Sequence, residues 1–422
     1  MILSNLTVPL LGAVDTAVMG HMTEAYYLGA VAVGALIFNY LYWSFGFLRM
    51  GTTGLTAQAY GAGDGDETRA VFGRAALMGL ALGLGAILLQ VPIIEGAMAL
   101  FSASTEVESL ARVYFDIRIW SAPAVLVQYA MVGWFVGIQN IRMVLLLQLI
   151  TNGLNVVLDL WFVLGLGWGV EGVAAATVIA ELTGVAIGTV IILRVFSRSD
   201  GTWRWDLISN LDRFRRLVVV NRDLFIRTLC LLSAFAWVTA RGAEMGDVVL
   251  AANAVLLIFQ SIMSYGLDGF AHAAEALIGS AVGSRDRTSF QRAARATTFW
   301  AVIVAVFYTA LYGALGTTLI AVMTDIEVVR RTTEVYLPWM ILSPIVAVWG
   351  FQLDGIFIGA TETRPLRNVM IGALVIFLVL SWILMPIYGN HGLWAAFIGF
   401  MGLRGVLLGP RYFRLRDRIH AS

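Results

Sequence analysis

The chain has 422 residues, 59% of them hydrophobic and only 13% charged, with a formal net charge of +1. That composition, with a mean hydropathy of +0.82, leaves too little polar surface to coat a soluble protein of this size. The near-neutral balance gives nucleic acid no basic surface to bind. The single cysteine, Cys230, excludes an intrachain disulfide and a cysteine metal cluster. Scattered histidines, with no phosphate loop and no G-x-S-x-G, leave nothing that reads as an enzyme.

Continuous apolar runs of about 20 residues recur along the whole chain. They are not the alternating strands of a membrane β-barrel. They predict an all-α integral membrane protein with 12 spans, at 1–21, 28–60, 70–95, 110–139, 142–165 and 171–196, then 216–240, 247–283, 290–322, 331–361, 365–388 and 392–410. The start lacks the basic flank and small-residue cleavage site of a signal peptide, so no cleaved leader is expected. The polar stretch between the sixth and seventh spans divides the chain into an N-terminal lobe, 1–200, a linker, 201–215, and a C-terminal lobe, 216–422.

Every basic residue is arginine, and the arginines are unevenly placed. Arg69, Arg74, Arg142, Arg194, Arg213, Arg285, Arg364 and Arg411 lie in one set of loops, with many more; the opposite set holds only Arg112, Arg241, Arg330 and Arg331. The positive-inside rule then puts both termini and the linker in the cytoplasm.

The two halves repeat. "GWFVGIQNIR" (133–142) matches "GIFIGATETR" (355–364) at an offset of 222, and "LIFN" (36–39) matches "LIFQ" (257–260). Six spans per half insert both copies the same way round, a parallel repeat of the kind that builds transporters.

The first span carries a carboxylate, Asp15, in "VPLLGAVDTAVMG". At a rise of 1.5 Å per residue it sits roughly 9 Å inside the outer end of that helix. Asp159 on the fifth span and Thr177 on the sixth fall at a similar depth. Asn152, Asn155 and Asp159 are spaced i, i+3, i+7, one polar stripe that must face the bundle interior or water. The second half has Phe235 or Ala236 near the position of Asp15, Phe377 for Asn155, Ser381 for Asp159 and Phe397 for Thr177. The fold is therefore buildable without these polar groups, although a polar knot joining the helices is the plain alternative. Burial and like charge both favour a protonated form for one of the two carboxylates. The same oxygens also suit Na+ and no soft metal. Pro9 removes a partner from the carbonyl of Asn5 and lets the first helix bend.

The second half has its own charges: Arg227 on the seventh span, Asp268, His272 and Glu275 on the eighth, and Asp354 on the tenth. Arg–carboxylate pairing explains them, and so would a second ion or substrate site. Arg49, Asp116, Arg118, Glu181 and Arg404 are expected to pair between helices or to extend toward the interfaces.

The stretches "SNLTVPLLGAVDTAVMGH", "LRMGTTGLTAQAYGAG", "NGLNVVLDLWFVLGL", "GVAAATVIAE", "LDGFAHAAEA" and "LDGIFIGATE" resemble the multidrug and toxic compound extrusion (MATE) transporters, in their DinF-like branch. The resemblance covers essentially the whole chain. It implies two six-helix lobes around a central cavity and, with no resident cofactor, export of cationic or amphipathic compounds in exchange for H+ or Na+. It places the family's coupling residues on Asp15, Asn155, Asp159 and Thr177. A related NorM-like branch uses an acidic residue on the tenth helix, which would fall near Asp354; the glutamate that branch carries on the seventh helix has no match. The expectation is a monomeric bacterial inner-membrane antiporter, with a lipid-linked precursor flippase as the alternative.

Overall fold

The computed structural model describes residues 25–99 and 104–418. The first predicted span, with Pro9 and Asp15, lies outside the described residues. The chain divides into two compact units, 1–218 and 219–422.

In the first unit, α1 (Ala25–Ser44) and α2 (Phe47–Gly61) are followed by α3 (Gly65–Leu88), α4 (Gln90–Met98) and α5 (Thr105–Arg118). A 3-10 turn at Ile119–Ser121 leads into α6 (Ala122–Gly137), and then come α7 (Ile141–Asp159), a π-helical turn at Leu160–Gly165, α8 (Val170–Phe196) and the short α9 (Trp205–Ile208). The helix α10 (Leu211–Glu244) carries the chain into the second unit, which continues with α11 (Asp247–Gly283), α12 (Arg287–Met323), α13 (Glu327–Gly359), α14 (Thr363–Tyr388) and α15 (Asn390–Arg418). Among the described residues, 11 helical stretches are long and apolar enough to cross a membrane. Outward side chains such as Leu84, Phe307, Val379 and Trp382 are exposed and apolar, as lipid-facing groups are.

Three expected boundaries differ. The span at 28–60 is broken by a turn at Phe45–Gly46, where both flanks are apolar and hydropathy cannot register the break. The span at 110–139 is two helices joined by the 3-10 turn, which ends at Pro123 in the first turn of α6. The seventh helix begins at Leu211, inside the stretch expected to be linker. The polar segment before it lies against the first unit. Arg69 Nη2 donates to the carbonyls of Phe196 (2.5 Å) and Ser199 (2.8 Å). Arg74 Nη1 donates to the carbonyl of Leu207 (2.6 Å), and Glu67 pairs with both Arg74 and Arg213.

The repeat is written into the backbone. Left-handed φ occurs at Gly63 and Arg285, at Gln139 and Thr361, and at Gly167 and Gly389, each pair 222 residues apart. Arg285, Gln139 and Thr361 hold a conformation that costs a residue with a Cβ roughly 1–2 kcal/mol, so the turn geometry is imposed by the helices on either side. Asp64 and Asp286, also 222 apart, cap α3 and α12 through side-chain acceptors. The shared glycines have a packing reason. A Cβ at Gly133 would run into the backbone at Arg49, and one at Gly355 into the backbone at Ala271. Each glycine lets two helices of its own unit approach backbone to backbone.

Candidate ion-coupling site

The buried face of α7 is Val144, Leu147, Thr151, Asn155, Leu158 and Asp159. The polar stripe is thus Thr151, Asn155 and Asp159; Asn152, expected on it, is only half-buried. Threonine at 151 is inconspicuous in an apolar run, which is why spacing alone selects the more polar neighbour. Asp159 is the last α-helical residue before the π turn. A π turn widens the helix and re-aims the side chains at its edge. Leu154, Leu158, Phe162, Ala175 and Ala176 pack together there, and Asp159 is 0% exposed.

The partner helix is α8. Thr177 donates its hydroxyl to the carbonyl of Val173 at 3.0 Å, one turn back. Its oxygen accepts from Asn155 Nδ2 at 3.3 Å, across the α7–α8 contact. The Asn155 side-chain carbonyl is buried and has no hydrogen-bond partner among the described residues. The structure therefore brings Asn155 and Thr177 together, one turn from the buried Asp159. Asp15, the fourth expected member, lies outside the described residues. The exposed donors are spent, so what remains are oxygen acceptors: an amide carbonyl, a hydroxyl lone pair and a carboxylate. That set takes a proton or a hard cation. Among the described residues no group of three or more His, Cys, Asp and Glu is placed to hold a metal ion.

The constant offset refines the repeat partners. Residues 222 beyond Asp15 and Thr177 are Trp237 and Gly399, not Phe235 or Ala236 and Phe397. Trp237 Nε1 donates to Ser381 Oγ at 2.9 Å, and Ser381 is the counterpart of Asp159. Phe377, the counterpart of Asn155, packs edge-on to Phe397 at 6.2 Å and tilted against Phe400 at 5.6 Å between centroids. The second unit fills with aromatic rings the place where the first sets polar oxygens.

The second unit's charges are paired. Arg227 Nη2 on α10 and Arg404 Nη2 on α15 both donate to Asp354 Oδ2 on α13. All three side chains are buried, Arg404 most of all at 1% exposed. The Arg404 guanidinium also lies 5.4 Å from the centre of the Phe351 ring. Asp268 and Glu275 stand within electrostatic reach of Arg227, so the Arg–carboxylate pairing expected from the sequence is present. Arg404, which completes the triad, was expected only to pair somewhere; no local signal names Asp354 as its partner 50 residues away. In the first unit Arg118 on α5 faces Glu181 on α8 at 3.9 Å, again as expected.

A polytopic helical bundle, built twice from one plan and carrying buried ionisable groups in both copies, is the architecture of a membrane transporter with parallel repeats. The comparisons make this specific. The family model described as MatE matches residues 1–161 and 224–383. The chain is 41% identical over 416 residues to DNA damage-inducible protein F of Escherichia coli K12, covering 98% of this chain and 90% of that protein. It is 24% identical over 435 residues to probable multidrug resistance protein NorM of Rhizobium meliloti, covering 97% of this chain and 90% of that one. The fold matches a solved MATE structure in the bent conformation at a TM-score of 0.91 and 19% identity, covering 100% of this chain and 95% of that one. A MOP superfamily transporter from Pyrococcus furiosus matches at a TM-score of 0.86, also at 19% identity, covering 100% and 94%. The chain belongs to the MatE family of multidrug and toxic compound efflux transporters, a family of membrane transporters rather than enzymes.

Proposed function

We propose that this chain is a secondary active exporter of cationic or amphipathic organic compounds, driven by proton entry, with Asp15, Asn155, Asp159 and Thr177 as the coupling site. The observation that carries the reading is the pair Asn155–Thr177, buried one turn from Asp159 and replaced in the second unit by rings. Polar groups that the same fold dispenses with elsewhere are not there for architecture. The contact between Trp237 and Ser381 supports a meeting of Asp15 with Asp159, their counterparts by the repeat. Two carboxylates in one apolar pocket resist ionising together, so one holds a proton until the site opens to water.

A proton needs a single carboxyl shielded from water, whereas Na+ needs several oxygens in fixed geometry. The apolar collar of Leu158, Phe162 and Ala176 favours the proton. A flippase for anionic lipid-linked precursors would need unneutralised basic groups, and Arg227 and Arg404 are already engaged by Asp354. In the same reading the protein is a monomer in a bacterial cytoplasmic membrane, with both termini in the cytoplasm. The lobes fall at 1–200 and 216–422, joined by 201–215.

The test is Asp15→Asn in proteoliposomes loaded with ethidium as the organic cation. The amide keeps the shape and cannot carry the charge, so extrusion driven by a pH gradient should stop in a folded protein. Extrusion at the wild-type rate would remove Asp15 from the mechanism.

A further inference from the structure

Glu181 lies one helical turn beyond Thr177 on α8, so the two side chains share a face. Its environment is unusual for a structural ion pair. Oε1 stands 3.9 Å from Arg118 Nη2, beyond hydrogen-bond reach. Oε2 is shut off from solvent and has no hydrogen-bond partner among the described residues. Arg118, in contrast, is held without Glu181. Its Nη1 donates to the Tyr114 hydroxyl at 2.7 Å, and its guanidinium sits 4.8 Å from the centre of the Phe38 ring.

The groups facing Glu181 can be named element by element. Arg118 comes from α5, Tyr42 from α1 and Tyr129 from α6, with Arg49 of α2 behind Tyr129. Ser121 of the 3-10 turn donates its hydroxyl to the carbonyl of Arg118 at 2.9 Å. From α7 comes the neutral Thr151, bonded to Gln128 at 3.3 Å. Arg118 and the more distant Arg49 are thus the cations of this cluster.

The repeat again supplies a control. Residues 222 beyond Arg118 and Glu181 are Met340 and Leu403, which pack in the apolar core of the second unit. The same helix contact is made there without charge. An ionised carboxylate with one oxygen buried and unbonded carries a penalty that a proton on that oxygen removes.

We propose that Glu181 is a second proton-carrying carboxylate of the first lobe. Oε2 takes the proton released at the Asp15–Asp159 site, along the face of α8 past Thr177, and gives it to water on the far side. Arg118 is the resident counter-ion while Glu181 is charged, and Tyr114 and Phe38 hold it when Glu181 is neutral. This rests on the proton-coupled reading above and adds a relay to it.

The direct test uses the wild-type protein in lipid. Dicyclohexylcarbodiimide modifies protonated carboxyls in apolar surroundings, and peptide mass spectrometry locates the adduct. Glu181 should be labelled at low pH, with the label lost as the pH rises. An unlabelled Glu181 in protein that is labelled at Asp15 or Asp159 would overturn the relay and leave the coupling site standing. Glu181→Gln supplies the second arm. It should bind ethidium with the wild-type Kd, lose one protonated-carboxyl infrared band between acid and alkaline buffer, and lose extrusion driven by a pH gradient. A folded Glu181→Gln protein with the full set of bands and wild-type extrusion would refute the proposal. Wild-type extrusion by Asp15→Asn would refute the coupling site instead, so the two failures are distinguishable.

Discussion

Replacing Asp354 with asparagine should damage the fold of the second lobe and spare ion coupling. Asp354 Oδ2 is the shared acceptor of Arg227 and Arg404, and the side chains of those two arginines are 8% and 1% exposed. An amide in that place leaves two buried guanidiniums facing each other with no counter-charge between them. Breaking a buried ion network from one side typically costs about 3–5 kcal/mol, because the remaining charges are stranded. For a unit of this size that corresponds to a fall of roughly 10 °C in the melting temperature. Thermal unfolding in detergent, followed by tryptophan fluorescence, reads the loss. The double variant Asp354→Asn/Arg404→Met should recover part of it, since an apolar side chain of similar length removes one stranded charge, and Asp268 and Glu275 remain near Arg227. An Asp354→Asn protein as stable as the wild type that has lost its ion dependence would refute this reasoning and move the coupling site to the second lobe.

Asp15→Asn and Asp159→Asn should be non-additive, the double variant losing little more transport than either single one, because interacting carboxylates titrate as a pair; fully additive losses in a double-mutant cycle would mean two independent sites. Thr177→Val keeps the shape but removes the acceptor of Asn155 Nδ2, so stability should fall by about 1 kcal/mol and coupling should weaken with substrate affinity unchanged, as gradient-driven against equilibrium ethidium binding would show. At the start of α12, the Ser289 hydroxyl, then the Ser289 and Thr288 amides, hold the Asp286 carboxyl below its ordinary value. A depressed folded value means the stabilisation is present above the unfolded pKa and lost as the pH falls through the folded one, so the wild type should melt above Asp286→Asn at neutral pH and the gap should close in acid.

The spans were legible because lipid demands a run of apolar residues long enough to cross it, a one-dimensional signal. The break between α1 and α2 was not, since a turn flanked by Trp43, Phe45 and Phe47 leaves hydropathy unchanged. The repeat could be aligned at its glycines but not at the first span, where no turn anchors the register. The left-handed turns 222 residues apart set that register and exchange Phe235 or Ala236 for Trp237. The Asn155–Asp159 stripe was visible as period and polarity. Thr151 was not, because a threonine in a helix can bond its own backbone and carries no signal of what it faces. Charges declare themselves in an apolar chain, so Arg227, Asp354 and Arg404 were found, but their partners lie on three different helices and only the packing joins them.

The central claim, proton-coupled export through the first lobe, is tested most directly by separating the two gradients. Ethidium extrusion from proteoliposomes is measured at fixed pH with Na+ replaced by choline, and again with the pH gradient collapsed by a protonophore. The account predicts that extrusion continues in choline and stops with the protonophore. Extrusion that stops in choline and survives the protonophore would contradict it.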